Sequence, residues 1–235
     1  MLRDVLELVL PRTCAGCGVS GHQCCPECRK VISDLGPRLA VPLPLPAGMP
    51  TTWAAAPYES VVRRVIVAWK DQGRADLSGI LATLLSGALR VAIEGSPQWC
   101  AAARSVGQVA VVAVPSRATG TRARGRFPVG DLVDHLIGAQ RGPQPLLHRI
   151  DALKFGRPVA DQAGLDHRRR GENLTGAMRL RRRVEGDLGN VPIVLVDDIT
   201  TTGNTMAEAS RTLRKAANAP MLAITVAATV RRGPS

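Results

Sequence analysis

The chain has 235 residues, 45 % of them hydrophobic, which suits one sustained core and excludes disorder throughout. Aromatic residues make up only 3 %, so the core must be built from Val, Leu, Ile and Ala, and base-stacking platforms, which need aromatic faces, are disfavoured. The formal net charge of +12 calls for an anionic partner without choosing among a phosphate-rich metabolite, a nucleic acid and an acidic surface.

The opening MLRDVLELVL (1–10) reads as a short amphipathic helix. Its apolar run is broken by Glu7 and no small-residue cleavage site follows, so a secretory leader is not expected. Five of the six cysteines then fall in CAGCGVSGHQCCPEC (14–28). A disulfide framework would spread its cysteines along the chain, whereas a tight cluster reads as a metal site. Cys14-x-x-Cys17 and Cys25-x-x-Cys28 offer four thiolates, enough to close a tetrahedron around a structural zinc and leave no open position for catalysis. Cys24 is an alternative to Cys25, and His22 is nearby. Residues 1–35 are therefore expected to form a helix plus zinc knuckle. The proline-dense GPRLAVPLPLPAGMP that follows reads as an extended linker over residues 36–50.

From residue 51 to 235 strands and helices alternate. TWAAAPY (52–58) reads as a strand, and ESVVRRVIVAWK (59–70) as a helix with Val61, Val62, Val65, Ile66 and Trp69 at helical spacing. LSGILATLLSGALRVAI (77–93) is apolar enough to raise a membrane question, but it carries Arg90 and stops short of about 20 apolar residues, so a buried helix is expected. No membrane span and a cytoplasmic location follow. QVAVVAVP (108–115) and IVLVDD (193–198) are continuous apolar runs, the mark of central strands covered on both faces. VGDLVDHLIGA (129–139) and MAEASRTLRKAANA (206–219) read as helices, and MLAITVAATV (221–230) as a last strand. The fold class is α/β, a mostly parallel sheet flanked by helices. The arginine-rich region 154–192 shows no clean period.

The stretch IVLVDDITTTGNT (193–205) carries the chemistry. Ligands of open parallel sheets bind beyond the carboxyl ends of the strands, where Asp197 and Asp198 would stand. Successive strand residues face opposite ways, so the two carboxylates can grip neighbouring hydroxyls of one ribose. The TTTGNT loop then opens a helix, whose first N–H groups and dipole favour an anion. Gly203 allows close backbone approach, and Thr201, Thr202 and Thr205 add hydroxyls. A diol grip followed by a phosphate cradle has the shape of a ribose 5-phosphate. There is no P-loop lysine and no three-glycine dinucleotide fingerprint. A two-aspartate magnesium site and an ordinary Asp/Thr helix cap are the competing readings.

VLVDDITTTGNT closely resembles the phosphoribosyl pyrophosphate (PRPP) motif of type I phosphoribosyltransferases. LPRTCAGCG, VRRVIVAWKDQGRADL, AVPSRATGTRARGR and QAGLDHRRRGENLTGAM, in this order with that motif, resemble the ComF family, which joins an N-terminal cysteine knuckle to a phosphoribosyltransferase-like domain and is linked by name to DNA uptake in competent bacteria. The resemblance covers nearly the whole chain. It implies a type I phosphoribosyltransferase-like fold, PRPP or a related sugar phosphate as ligand, and magnesium bound with it. It implies that Asp197 and Asp198 act on the ribose hydroxyls and that Thr200, Thr201, Thr202, Gly203, Asn204 and Thr205 cradle the 5-phosphate. Ser116 and Arg117 match the pyrophosphate turn. Arg168, Arg169 and Arg170 match a hood that closes over the site and neutralises the leaving pyrophosphate. Phosphoribosyl transfer to a nitrogen acceptor is the implied activity; a non-catalytic PRPP sensor is the alternative. Single-stranded DNA and competence or helicase proteins are the implied macromolecular partners. One departure stands out. The family usually carries Arg-Gly-Phe-Asn-Gln after the pyrophosphate turn, and here Arg124-Gly125-Arg126-Phe127-Pro128 lacks the Asn-Gln pair. Lys70 and Arg74 read equally well as a helix-end pairing.

Overall fold

The computed structural model describes residues 13–116, 125–140, 145–157, 174–182 and 184–229. The expected 1–10 helix, Arg117 and the arginines 168–170 lie outside these residues. A six-stranded sheet forms the centre. Its strands are β1 (Arg38–Leu39), β2 (Thr52–Pro57), β3 (Gln108–Ala113), β4 (Leu146–Arg149), β7 (Ile193–Thr200) and β8 (Met221–Ala228), in the spatial order β1-β2-β8-β7-β3-β4. Only β1 is antiparallel to its neighbour; every other junction is parallel. A small antiparallel pair, β5 (Leu153–Phe155) with β6 (Met178–Leu180), stands apart from this sheet.

Both faces of the sheet are covered, which is why its central strands are unbroken apolar runs. Val109, Val111, Val194 and Val196 face one apolar cluster. Helices α2 (Ser60–Asp71), α3 (Ser78–Glu94), α4 (Pro97–Val106) and α5 (Pro128–Gly138) pack on this face and supply much of the cluster. Ala110, Val112, Ile193 and Leu195 face the other, against α7 (Asn204–Leu213), the β5–β6 pair and Leu188 of the short α6 (Glu185–Leu188). The knuckle and the helix after it, α1 (Pro26–Leu35), add Cys14, Cys24, Cys25, Cys28 and Ile32 to the first cluster.

The apolar helix that raised the membrane question is continuous with a 3-10 turn, Ala75–Leu77. Ala75–Glu94 is long and apolar enough to cross a bilayer, but Leu81, Leu85, Ala88, Leu89 and Ala92 are buried in the core against the sheet.

The structure departs from the sequence reading in three places. Helix α7 starts at Asn204, earlier than the period indicates, and ends at Leu213. Beyond it Lys215 N–H and Ala216 N–H bond three residues back, so the chain tightens into a turn before Asn218 N–H reaches Gly189 O. Helix α4 was not anticipated, although Pro97 at its first turn and Gly107 just past its end, at φ +75°, mark both boundaries. The β4 edge strand and the β5–β6 pair are too short to show a period.

Candidate functional site

Chain direction creates the crevice. After β3 the chain moves outward to β4 through α5 on one face; β7 then lies on the other side of β3 and leads to β8 through α7 on the opposite face. The carboxyl ends of β3 and β7 are therefore the topological switch point, where open α/β sheets bind ligands. Asp197 and Asp198 occupy the end of β7, and Ser116 lies just past β3, where the Val114 N–H bonds Val196 O at 2.8 Å.

Both carboxylates are buried, 9 % and 4 % exposed as residues, and they stand close enough to interact directly. Asp197 Oδ1 accepts the Asp198 N–H at 2.8 Å, and Asp198 Oδ1 accepts the Ile199 N–H at 2.8 Å. The Lys70 ammonium, from the last turn of α2, is paired with Asp198 Oδ2. Burial pushes the Asp197 carboxyl well above its ordinary range, and the Asp198 charge pushes it further; Lys70 and the Asp198 N–H oppose without prevailing. Burial lowers the Lys70 ammonium, but attraction to Asp198 and, more weakly, Asp197 and Asp71 leaves it raised. The site thus holds one paired carboxylate and one that resists ionisation. Of the two readings open for Lys70, a role at the site and a helix-end pairing, the ion pair with Asp198 brings it to the acid pair.

The reason lies in the path of α2. Tyr58 N–H bonds Ala228 O just before the helix starts, and Lys70 meets Asp198 at its end. Both ends of α2 therefore lie at the carboxyl edge of the sheet. The return to the amino edge falls to α3, after which Gly95 packs against Trp53. Helical spacing in the sequence carries no sign of this.

The loop after β7 has the features of an anion cradle. Gly203, at φ +74°, is the N-cap of α7, and no side chain caps the helix. An ordinary hydroxyl cap is therefore absent, and the first N–H groups of α7 lack intrahelical acceptors. A Cβ at Gly203 would run into Met49 Sδ and Pro42 Cγ, so the proline-rich segment passes directly over this turn. Thr201 is exposed, and Thr202, Asn204 and Thr205 are half-buried. Thr200 is buried, and its Oγ1 has no partner among the described residues.

The four cysteines Cys14, Cys17, Cys25 and Cys28 bring their Sγ atoms within 4.8 Å of one another. Four sulfurs at about 2.3 Å from a zinc stand roughly 3.8 Å apart, and Cys17 Sγ and Cys25 Sγ are 3.7 Å apart. Gly16 N–H and Cys25 N–H point at Cys14 Sγ, at 3.4 and 3.2 Å. Burial raises the Cys14 thiol, but these donors and Cys17 outweigh it and bring it down to about 6. Such N–H donors also support a metal-bound sulfur. The donor set fits a structural zinc, and the ambiguity resolves toward Cys25. Cys24 is buried outside the cluster, its thiol pushed up to about 11, chiefly by burial. His22 is exposed.

The knuckle is tied to α2. Arg64 Nε donates to Gly16 O, and a methyl group at Gly16 would lie 2.9 Å from Val61 Cγ1. Arg74 donates to Thr13 O at 3.0 Å and Gln23 O at 3.5 Å while pairing with Asp76 at 2.8 Å. No family model and no curated protein matches the chain.

Proposed function

We propose that the protein is a PRPP-binding, phosphoribosyltransferase-like protein of the ComF type. The observation that carries this reading is the pairing, at one switch point, of a buried acid pair with an uncapped helix N-terminus a few residues on. The resemblance of the chain to type I phosphoribosyltransferases supplies the ligand's name.

In this reading Asp197 and Asp198 accept the ribose hydroxyls. Thr200 to Thr205, with the first N–H groups of α7, hold the 5-phosphate. Ser116 and Arg117 receive the pyrophosphate, and Arg168 and Arg169 neutralise its charge as it leaves. The reaction is displacement of pyrophosphate from the ribose carbon by a nitrogen nucleophile. The protein's part is to hold the ribose, keep water out and balance charge. Asp198 and one Asp197 oxygen already serve Lys70 and backbone N–H groups. The protein therefore has few carboxylate oxygens to give a cation, and magnesium would be held chiefly by the ligand's own oxygens. There it would neutralise pyrophosphate charge.

Titration calorimetry with PRPP and magnesium tests the reading. Saturable heat from the native protein, lost in Asp197→Asn with Asp198→Asn, supports it. No heat with PRPP, together with single-stranded DNA binding that weakens steeply as salt rises, would favour a nucleic-acid protein instead.

A further inference from the structure

The same helix, α2, touches both the knuckle and the acid pair. Arg64, in its middle, and Arg74, three residues past its end, reach knuckle carbonyls at Gly16, Thr13 and Gln23. Between them in sequence stands Lys70, which reaches Asp198. The last turn is held from a third side, since Arg126 donates to Trp69 O at 2.6 Å and pairs with Asp131 at 3.0 Å. Trp69 itself is fully buried and donates to Ser78 Oγ at 2.9 Å.

We propose that the four-cysteine knuckle is a brace for the ligand site. By clamping α2 through Arg64 and Arg74 it holds Lys70 against Asp198, and Lys70 is the positioning residue that keeps the Asp198 carboxylate aimed at the sugar. The proposal rests on the ribose-phosphate reading of the site for its ligand, but the brace itself does not depend on any ligand.

Cys14, Cys24 and Cys25 anchor the knuckle in the core, but the loop between them has little regular backbone pairing, so its shape depends on its sulfurs being drawn together. Among the described residues its regular pairing is one bridge, Thr13 with Ser20, and a few loop hydrogen bonds. A zinc bound by the four thiolates would fix the path of a loop with so little backbone pairing. Once that order is lost, the carbonyls at Gly16, Thr13 and Gln23 no longer present a fixed target to Arg64 and Arg74. Lys70 then loses its fixed approach, and the Asp198 carboxylate, which takes the Ile199 N–H through Oδ1 and Lys70 through Oδ2, loses one of its two anchors.

Hydrogen exchange on the full chain tests the brace without a ligand. The readouts are the amides of 67–71, the last turn of α2, and the amide of Ile199, which reports Asp198 directly. Two preparations are compared with the native protein: one stripped of zinc by a chelator, and one carrying Arg64→Ala with Arg74→Ala, which keeps all the cysteines. Faster exchange in both places in both preparations is expected. Unchanged exchange at Ile199 in the double variant would overturn the proposal, since α2 would then be held by the core alone. Calorimetry with ribose 5-phosphate is the second arm. Lys70→Met should weaken binding about ten- to a hundredfold, the equivalent of one charge-assisted contact, and Lys70→Arg should restore most of it. Equal loss in Lys70→Met and Lys70→Arg would refute the positioning role. If the native protein binds no ribose 5-phosphate, the sugar-phosphate reading fails and the exchange arm still decides the brace.

Discussion

Replacing Asp197 by Asn should make the protein more stable and weaken its site. The substitution keeps an oxygen to accept the Asp198 N–H, as Oδ1 does at 2.8 Å, and replaces the other oxygen by a neutral amide nitrogen, so no buried charge can form there. Burial and the neighbouring Asp198 oppose that charge more strongly than Lys70 favours it. Relief of such a functional compromise is worth about 0.5–2 kcal/mol. The pH dependence has a definite sign. The carboxyl titrates higher in the folded chain than in the unfolded one, so the folded state holds its proton more tightly. Its contribution is fully favourable below the unfolded value, about pH 4, and is lost as pH rises through the raised folded value. The advantage of the Asn variant should therefore be smallest in acid, grow as pH rises, and level off once Asp197 is ionised. Urea unfolding of both proteins over a series of pH values isolates this difference from every other titrating group. An Asn variant that is less stable at neutral pH, or a difference that does not change with pH, would refute the electrostatics assigned to the site. The same variant should bind PRPP about ten- to a hundredfold more weakly, as expected for one charge-assisted hydrogen bond.

Glu208 should behave in the opposite way. It is buried, accepts the Met178 N–H at 3.0 Å and pairs with Arg211 at 2.8 Å. Burial raises its carboxyl, but Arg211 and the N–H donors lower it further, so its contribution is present above the unfolded value and is lost as pH falls through the folded one. Glu208→Ala should cost about 1–3 kcal/mol in denaturant unfolding at pH 7. Gly203→Ala puts a side chain in the left-handed region and against Pro42 and Met49; a loss of at least about 1 kcal/mol is expected, with the thermal midpoint as the readout. Native protein should contain one zinc per chain by elemental analysis, Cys24→Ser should keep it, and Cys14→Ser should lose it. Zinc retained after replacement of both Cys25 and Cys28 would contradict the ligand set.

The sheet was legible because its central strands have only one way to be buried. VAVVAV and IVLV have no polar face, so they can only lie between two layers, and the helices between them supply those layers. The acid pair was legible because two adjacent carboxylates at a strand end, followed by Thr, Gly and a helix start, is a rare local combination. What could not be read depends on the path of the chain. Lys70 looks like any lysine at a helix end, and only the course of α2 along the carboxyl edge of the sheet brings it to Asp198. Pro42 and Met49 are more than 150 residues from Gly203, and no local pattern announces their contact. Cys24 and Cys25 are adjacent and chemically identical. The chain's turn into α1, which starts at Pro26, sends one sulfur into the cluster and the other into the core.

The most direct test of the central claim is a crystal structure of the protein with PRPP and magnesium. The ribose hydroxyls should lie on Asp197 and Asp198, the 5-phosphate against Thr201 to Thr205 at the start of α7, and the pyrophosphate beside Ser116. A ligand bound elsewhere, for instance on the arginines between the knuckle and α2, with the β3–β7 crevice empty, would contradict it.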